Sequence, residues 1–94
     1  MTNSSQPLTF ARDVVFQVIN GEALILKLKD ESVFALNDTG TRVAQLIQDG
    51  HSLASLIDRL SGEYGRSPAE VSGDVTELVQ TLLAKGLVIA SGSE

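Results

Sequence analysis

The chain contains no cysteine, one histidine and only four aromatic residues in 94. Without cysteine there is neither a disulfide framework nor a thiolate metal site, and a reducing compartment is permitted. With so few rings, stability has to come from aliphatic packing of leucine, valine and isoleucine. No segment approaches the length of a membrane span, and "MTNSSQPLTF" lacks the basic-then-apolar order of a secretion signal, so a cytoplasmic location away from membranes is expected. Basic residues are also scarce: seven against twelve acidic ones, a net charge of −5. That charge repels the phosphate backbone from which most nonspecific nucleic-acid affinity derives, and nucleic acid is not expected as a partner.

Catalytic chemistry is similarly thin. Acid–base catalysis needs converging titratable groups, and His51 sits alone in the turn "DGHS", read as a solvent-exposed turn residue. Asp74 and Glu77 stand three apart on one helix without a second cluster, which reads as a solvated face and not as a metal site. No serine lies in a nucleophile elbow, and "GEYGRSP" is no phosphate loop. The chain is expected to be no enzyme and to need no cofactor or metal.

What is present is a single domain of about 80 residues with 43% hydrophobic content overall. Residues 1–9 and 91–94 are polar and are expected as mobile tails around a domain at 10–90. In "DVVFQVINGEALILKLKD", Asn20-Gly21 supplies the positive φ angles of a type I′ hairpin turn. Along the second arm Leu24, Leu26 and Leu28 alternate with Ile25, Lys27 and Lys29, which points the leucines inward and the lysines to water. A turn at Asp30-Glu31 leads to a third strand, Ser32–Leu36.

At "LNDTG" the period changes from two to about 3.6. Asn37, Asp38 and Thr39 can each cap a helix carrying Val43, Leu46 and Ile47, which Gly50 ends. Ser52 caps a second helix with the stripe Leu53, Leu56, Ile57, Leu60 and Tyr64. Ser67, Pro68 and Glu70 form a complete capping box for a third, whose apolar positions are Val71, Val75, Leu78, Val79 and Leu82 and whose stop is Gly86. Leu87–Ile89 is either a small strand or core. The expected fold is α+β and winged-helix-like: a three-stranded antiparallel sheet followed by a three-helix bundle. A DNA-reading third helix would carry Glu70, Asp74, Glu77 and Lys85, a net −2 in the wrong place.

With these elements in order, Val14 to Ile89 resembles the PqqD family, whose fold serves as the precursor-peptide recognition element of ribosomally made, modified peptides. The likeness is carried by "FALN" (34–37), Thr39-Gly40, Val43, Leu46, Ile47, Asp49-Gly50, "SLASLIDRL", "EYGRSPAEVSGDV" and "LLAKGLV". Ala44 departs from the tryptophan that many members carry there. "LILKLKD" stands where the quinone-pathway branch has an aliphatic pair followed by Tyr-Pro-Glu, so either that pathway or another peptide pathway fits.

The resemblance implies a non-catalytic chaperone or adaptor that binds a leader peptide by strand addition and presents it to a modifying enzyme, such as a radical SAM enzyme, a protease or a cyclase. Its implied peptide site is the edge Ser32, Val33, Phe34, Ala35 and Leu36 with the helix wall Val71, Asp74, Val75 and Leu78. Phe34, Leu36, Val75 and Leu78 have the character of core, which leaves Val33, Ala35, Val71 and Asp74 as the sharper contact residues. A winged-helix nucleic-acid regulator and a small structural subunit of an enzyme complex are the alternatives, and the open edge leaves a homodimer as a further arrangement.

Overall fold

The computed structural model describes residues 5–90. The elements run β1 (Leu8–Phe10), β2 (Val14–Ile19), β3 (Glu22–Lys27), β4 (Ser32–Leu36), α1 (Asp38–Gln48), α2 (Leu53–Tyr64), α3 (Pro68–Ala84) and β5 (Val88–Ala90). Strands β2, β3 and β4 form an antiparallel sheet in that order, and β1 pairs with β5 in a second, two-stranded sheet. Asn20 and Gly21 both take positive φ, 53° and 79°, as the hairpin between β2 and β3 requires.

Each helix is closed by the residues its sequence supplies. The Asn37 side chain accepts from the Gly40 N–H, Ser52 from Ser55, and Ser67 from Glu70 with the reciprocal capping-box contact. Gly50, at φ 92°, ends α1 with the His51 N–H donating to the Leu46 carbonyl. The core lies between the inner face of the larger sheet and the helices. Leu46, Leu56, Leu60 and Leu82 are fully enclosed there with Val43, Ile25 and Val79.

Three expectations need correction. The face of β3 that turns inward is Ala23 and Ile25, both 0% exposed, while Leu24 and Leu26 are only half-buried and Leu28 is 60% exposed. Ile25 is paired between Phe16 and Phe34, so two aromatic rings flank the inner row and set the orientation. Lys27 follows Ala23 and Ile25 on that inner side by the strand's alternation, and its Nζ donates to the Lys85 carbonyl at 3.1 Å.

The chain is also ordered before residue 10. Leu8 is 1% exposed and pairs with Ala90, and its N–H donates to the His51 carbonyl. The strand Val88–Ala90 gives this short segment both a ladder and an apolar seat. Of the tails expected at 1–9 and 91–94, residues 1–4 and 91–94 lie outside the described residues. Finally, His51 is half-buried, with Nδ1 2.7 Å from Ser55 Oγ, and is not simply solvated.

A candidate peptide groove between an edge strand and the third helix

Among the described residues β4 pairs only with β3, so its other side is an unpaired edge. Which of its backbone groups face outward follows from the ladder. The Leu28 N–H donates to the Asp13 carbonyl at 2.8 Å, one step beyond the Val14–Lys27 pair. Backbone polar groups alternate sides along a strand, so Leu28, Leu26 and Leu24 point theirs at β2 and Lys27, Ile25 and Ala23 point theirs at β4. Their partners Ser32, Phe34 and Leu36 therefore face inward to the ladder, and Val33 and Ala35 present N–H and C=O to the open edge.

Side chains alternate on the same period. Phe34 and Leu36 lie half-buried against the helices, while Val33 and Ala35 are exposed on the outer sheet face with Leu24 and Leu26. Gly40, in the first turn of α1, packs closely against the last residue of the strand. A Cβ there would come 3.1 Å from Leu36 Cδ2, so a larger residue would press on the last residue of the edge.

Alongside β4 runs α3. A hollow of about 340 Å³ is lined by Phe34 from the strand and by Asp74, Glu77, Leu78 and Thr81 from the helix. Toward the start of β4 a second, about 280 Å³, is lined by Asp30, Ser32, Val33, Phe34, Lys85 and Leu87, with Ile25 at its base. Beyond the N-terminal part of α3 a third, about 350 Å³, lies among Thr39, Tyr64, Arg66, Glu70, Val71, Asp74 and Val75. Together they make a broken groove that follows strand and helix in opposite directions. The Lys85 ammonium lies 5.9 Å from the centre of the Phe34 ring. At the groove's end, hydrogen bonds from the Ser32 hydroxyl and N–H hold the Asp30 carboxyl below its ordinary pKa.

Of the nine residues assigned from sequence, the structure brings Ser32, Val33, Phe34, Asp74 and Leu78 to the groove along β4 and α3. Ala35 stands on the edge itself, and Leu36 at its end. Val71 and Val75 are 7% and 2% exposed; they line the hollow at the α3 N-terminus but belong mainly to the core, which corrects the expectation that Val71 is chiefly a contact residue. Glu77, Thr81 and Lys85 were missed. They share a helical stripe with Asp74 and Leu78, and that spacing was the signal that could have found them. Among the described residues, no group of three histidine or acidic side chains could hold a metal ion, and no helix is long and apolar enough to cross a membrane.

Comparison with known proteins bears on this architecture. Residues 22–88, which include the edge strand and all of α3, match the family "Coenzyme PQQ synthesis protein D (PqqD)". The chain belongs to the PqqD family. Two curated relatives, the PqqA binding proteins of Rhodopseudomonas palustris strains BisB5 and HaA2, are 33% and 34% identical over 61 residues, 65% of this chain. The match spans 60% of the length of those relatives.

Among solved structures, TbiB1 in complex with the TbiA(β) leader peptide superposes with a TM-score of 0.79 at 24% identity, over 92% of this chain and 98% of that one. The PqqD truncation of Methylobacterium extorquens PqqCD, a stand-alone recognition element, gives 0.74 at 20% identity over 95% of each chain. A lasso peptide synthetase B1 complexed with its leader peptide gives 0.78 at 23% identity, covering 87% of this chain and 96% of that one. These likenesses establish the fold: a three-stranded antiparallel sheet with three helices.

Proposed function

We propose that this PqqD-family protein is a non-catalytic adaptor that binds the leader of a ribosomally made precursor peptide as an added strand on β4 and presents it to a modifying enzyme. The observation that carries this reading is the open edge at Val33 and Ala35 beside the hollow walled by Asp74, Leu78 and Thr81. An extended chain laid there gains main-chain bonds from the edge, while its alternate side chains enter the hollow, which is how strand addition combines affinity with selectivity. The other edge, β2, is less available: the Val14 N–H already donates to the Ala11 carbonyl, and Phe10 stacks on Phe16 at 5.6 Å.

The names of the relatives support the same role. Two are PqqA binding proteins and two of the structures hold leader peptides. The enzyme served is of the kind that modifies, cleaves or cyclises such peptides: a radical SAM enzyme, a protease or a cyclase. The domain at 10–90, extended by Leu8 and Thr9 in β1, is the binding unit, and it acts in the cytoplasm.

The test is calorimetric titration with synthetic leaders of the precursor peptides encoded in the same genome. Saturable one-to-one binding of one of them is the expected result. Binding of none, together with retardation of duplex DNA in a low-salt gel shift, would replace the adaptor with the winged-helix regulator.

A further inference from the structure

The charges along the groove are not spread evenly. Near the start of β4, Asp30 and Lys85 line one hollow together; at the N-terminal part of α3, Arg66 and Glu70 both line another. Each end therefore carries both signs. The middle is lined by Asp74 and Glu77 with Phe34, Leu78 and Thr81 and by no cation of its own, the Lys85 ammonium standing at its margin, 5.9 Å from the centre of the Phe34 ring. Both carboxylates are exposed, and neither is in an ion pair among the described residues, in contrast to the Arg42–Glu63 pair at 2.7 Å.

The spacing of the wall also matches that of a strand. Asp74, Leu78, Thr81 and Lys85 fall on one helical stripe, with a rise of about 6 Å between Asp74 and Leu78. Groove-facing residues of an added strand recur every second position, about 6.6 Å apart. In that register one groove-facing side chain of a guest would meet Asp74, with Glu77 within reach of a long side chain, and the next would meet the hollow's apolar lining of Phe34 and Leu78.

We infer that the groove selects leaders carrying a lysine or arginine two residues from an apolar side chain, the cation directed at Asp74 and Glu77 and the apolar group seated between Phe34 and Leu78. This rests on the strand-addition reading and adds to it the chemical class of the segment bound. Unpaired carboxylates at the wall favour a cation and repel an acid, so they discriminate more than they tighten. Selectivity of this origin weakens as salt rises.

The test uses a display library of randomised peptides about eight residues long, enough to cover the five residues of β4. The intact chain is panned against it, in parallel with a D74N/E77Q double variant. Lysine or arginine should be enriched two positions from an aliphatic or aromatic residue, and the enrichment should disappear with the double variant. For a selected peptide, exchanging the cation for glutamate should weaken binding about tenfold or more in low salt, and much less at about 0.5 M salt. Far-ultraviolet circular dichroism should show the double variant folded, since both side chains are exposed.

If selected peptides shift the β4 amides but show no basic preference, the inference is wrong and the strand-addition reading stands. If no peptide is enriched, or the binders leave β4 untouched, both fall.

Discussion

A proline at Ala35 separates the binding role proposed for the edge from its folding role. Ala35 faces Leu24 at a position where the two exchange no ladder bonds, so losing its N–H breaks nothing within the chain. The expected folding cost of A35P is the strain of moving an extended residue toward the proline φ, about 1 kcal/mol or less on an edge strand. For a guest strand the same change removes one of four outward groups, and the ring's Cδ occupies the place where the guest carbonyl should sit. A lost bond of about 0.5–1.5 kcal/mol plus a partner left unsatisfied gives about 1.5–3 kcal/mol. That is roughly tenfold to more than a hundredfold in affinity.

Phe34 is the internal control. Its N–H belongs to the ladder with Ile25, so F34P loses a structural bond and a half-buried ring, about 3 kcal/mol or more, a large share of the ~5–15 kcal/mol typical of a domain. Urea denaturation gives the two stabilities, and fluorescence anisotropy with a labelled leader gives the affinities. Unchanged leader affinity in A35P would refute the reasoning. So would A35P and F34P being equally destabilised, because the alternation deduced for β4 would then be wrong.

Three further outcomes follow from the fold. Leu8→Ala should destabilise by about 2–5 kcal/mol in urea, because the side chain is enclosed; an effect near zero would make β1 dispensable. Ser67→Ala should cost about 1 kcal/mol through loss of the α3 capping box, with a correspondingly lower thermal midpoint, and an unchanged midpoint would deny the cap a role. The Arg42 guanidinium, by donating to both Glu63 oxygens, lowers that carboxyl's pKa. Its stabilisation is therefore complete above the ordinary glutamate value of about 4.3 and fades as the pH falls through the lower folded value. Wild type should exceed Glu63→Gln in thermal midpoint at neutral pH, with the gap closing on acidification; a gap that widens toward acid would contradict the assignment.

Much of the frame was legible from local chemistry. Asn20-Gly21 announces its hairpin through the φ angles it permits, and Ser67, Pro68 and Glu70 announce α3, because these signals act over a few residues. The facing of β3 was not legible, since Leu24 and Leu26 are as apolar as Ala23 and Ile25 and only the cross-strand partners Phe16 and Phe34 decide between them. β1 is three residues long with no periodicity of its own; β5, some 80 residues away, makes it a strand. At the groove, Asp74 and Leu78 line the hollow beside β4, but Val71 was not separable from core by type, and Glu77, Thr81 and Lys85 became visible only once α3 was seen beside β4.

The most direct measurement is amide hydrogen exchange, residue by residue, with and without a bound leader. The Phe34 amide should be slow in both states, whereas those of Val33 and Ala35 should exchange fast in the free protein and slow sharply on binding. Protection that instead appears at Phe16 and Val18 on the β2 edge, or leaves Val33 and Ala35 unchanged in a saturated complex, would contradict strand addition at β4.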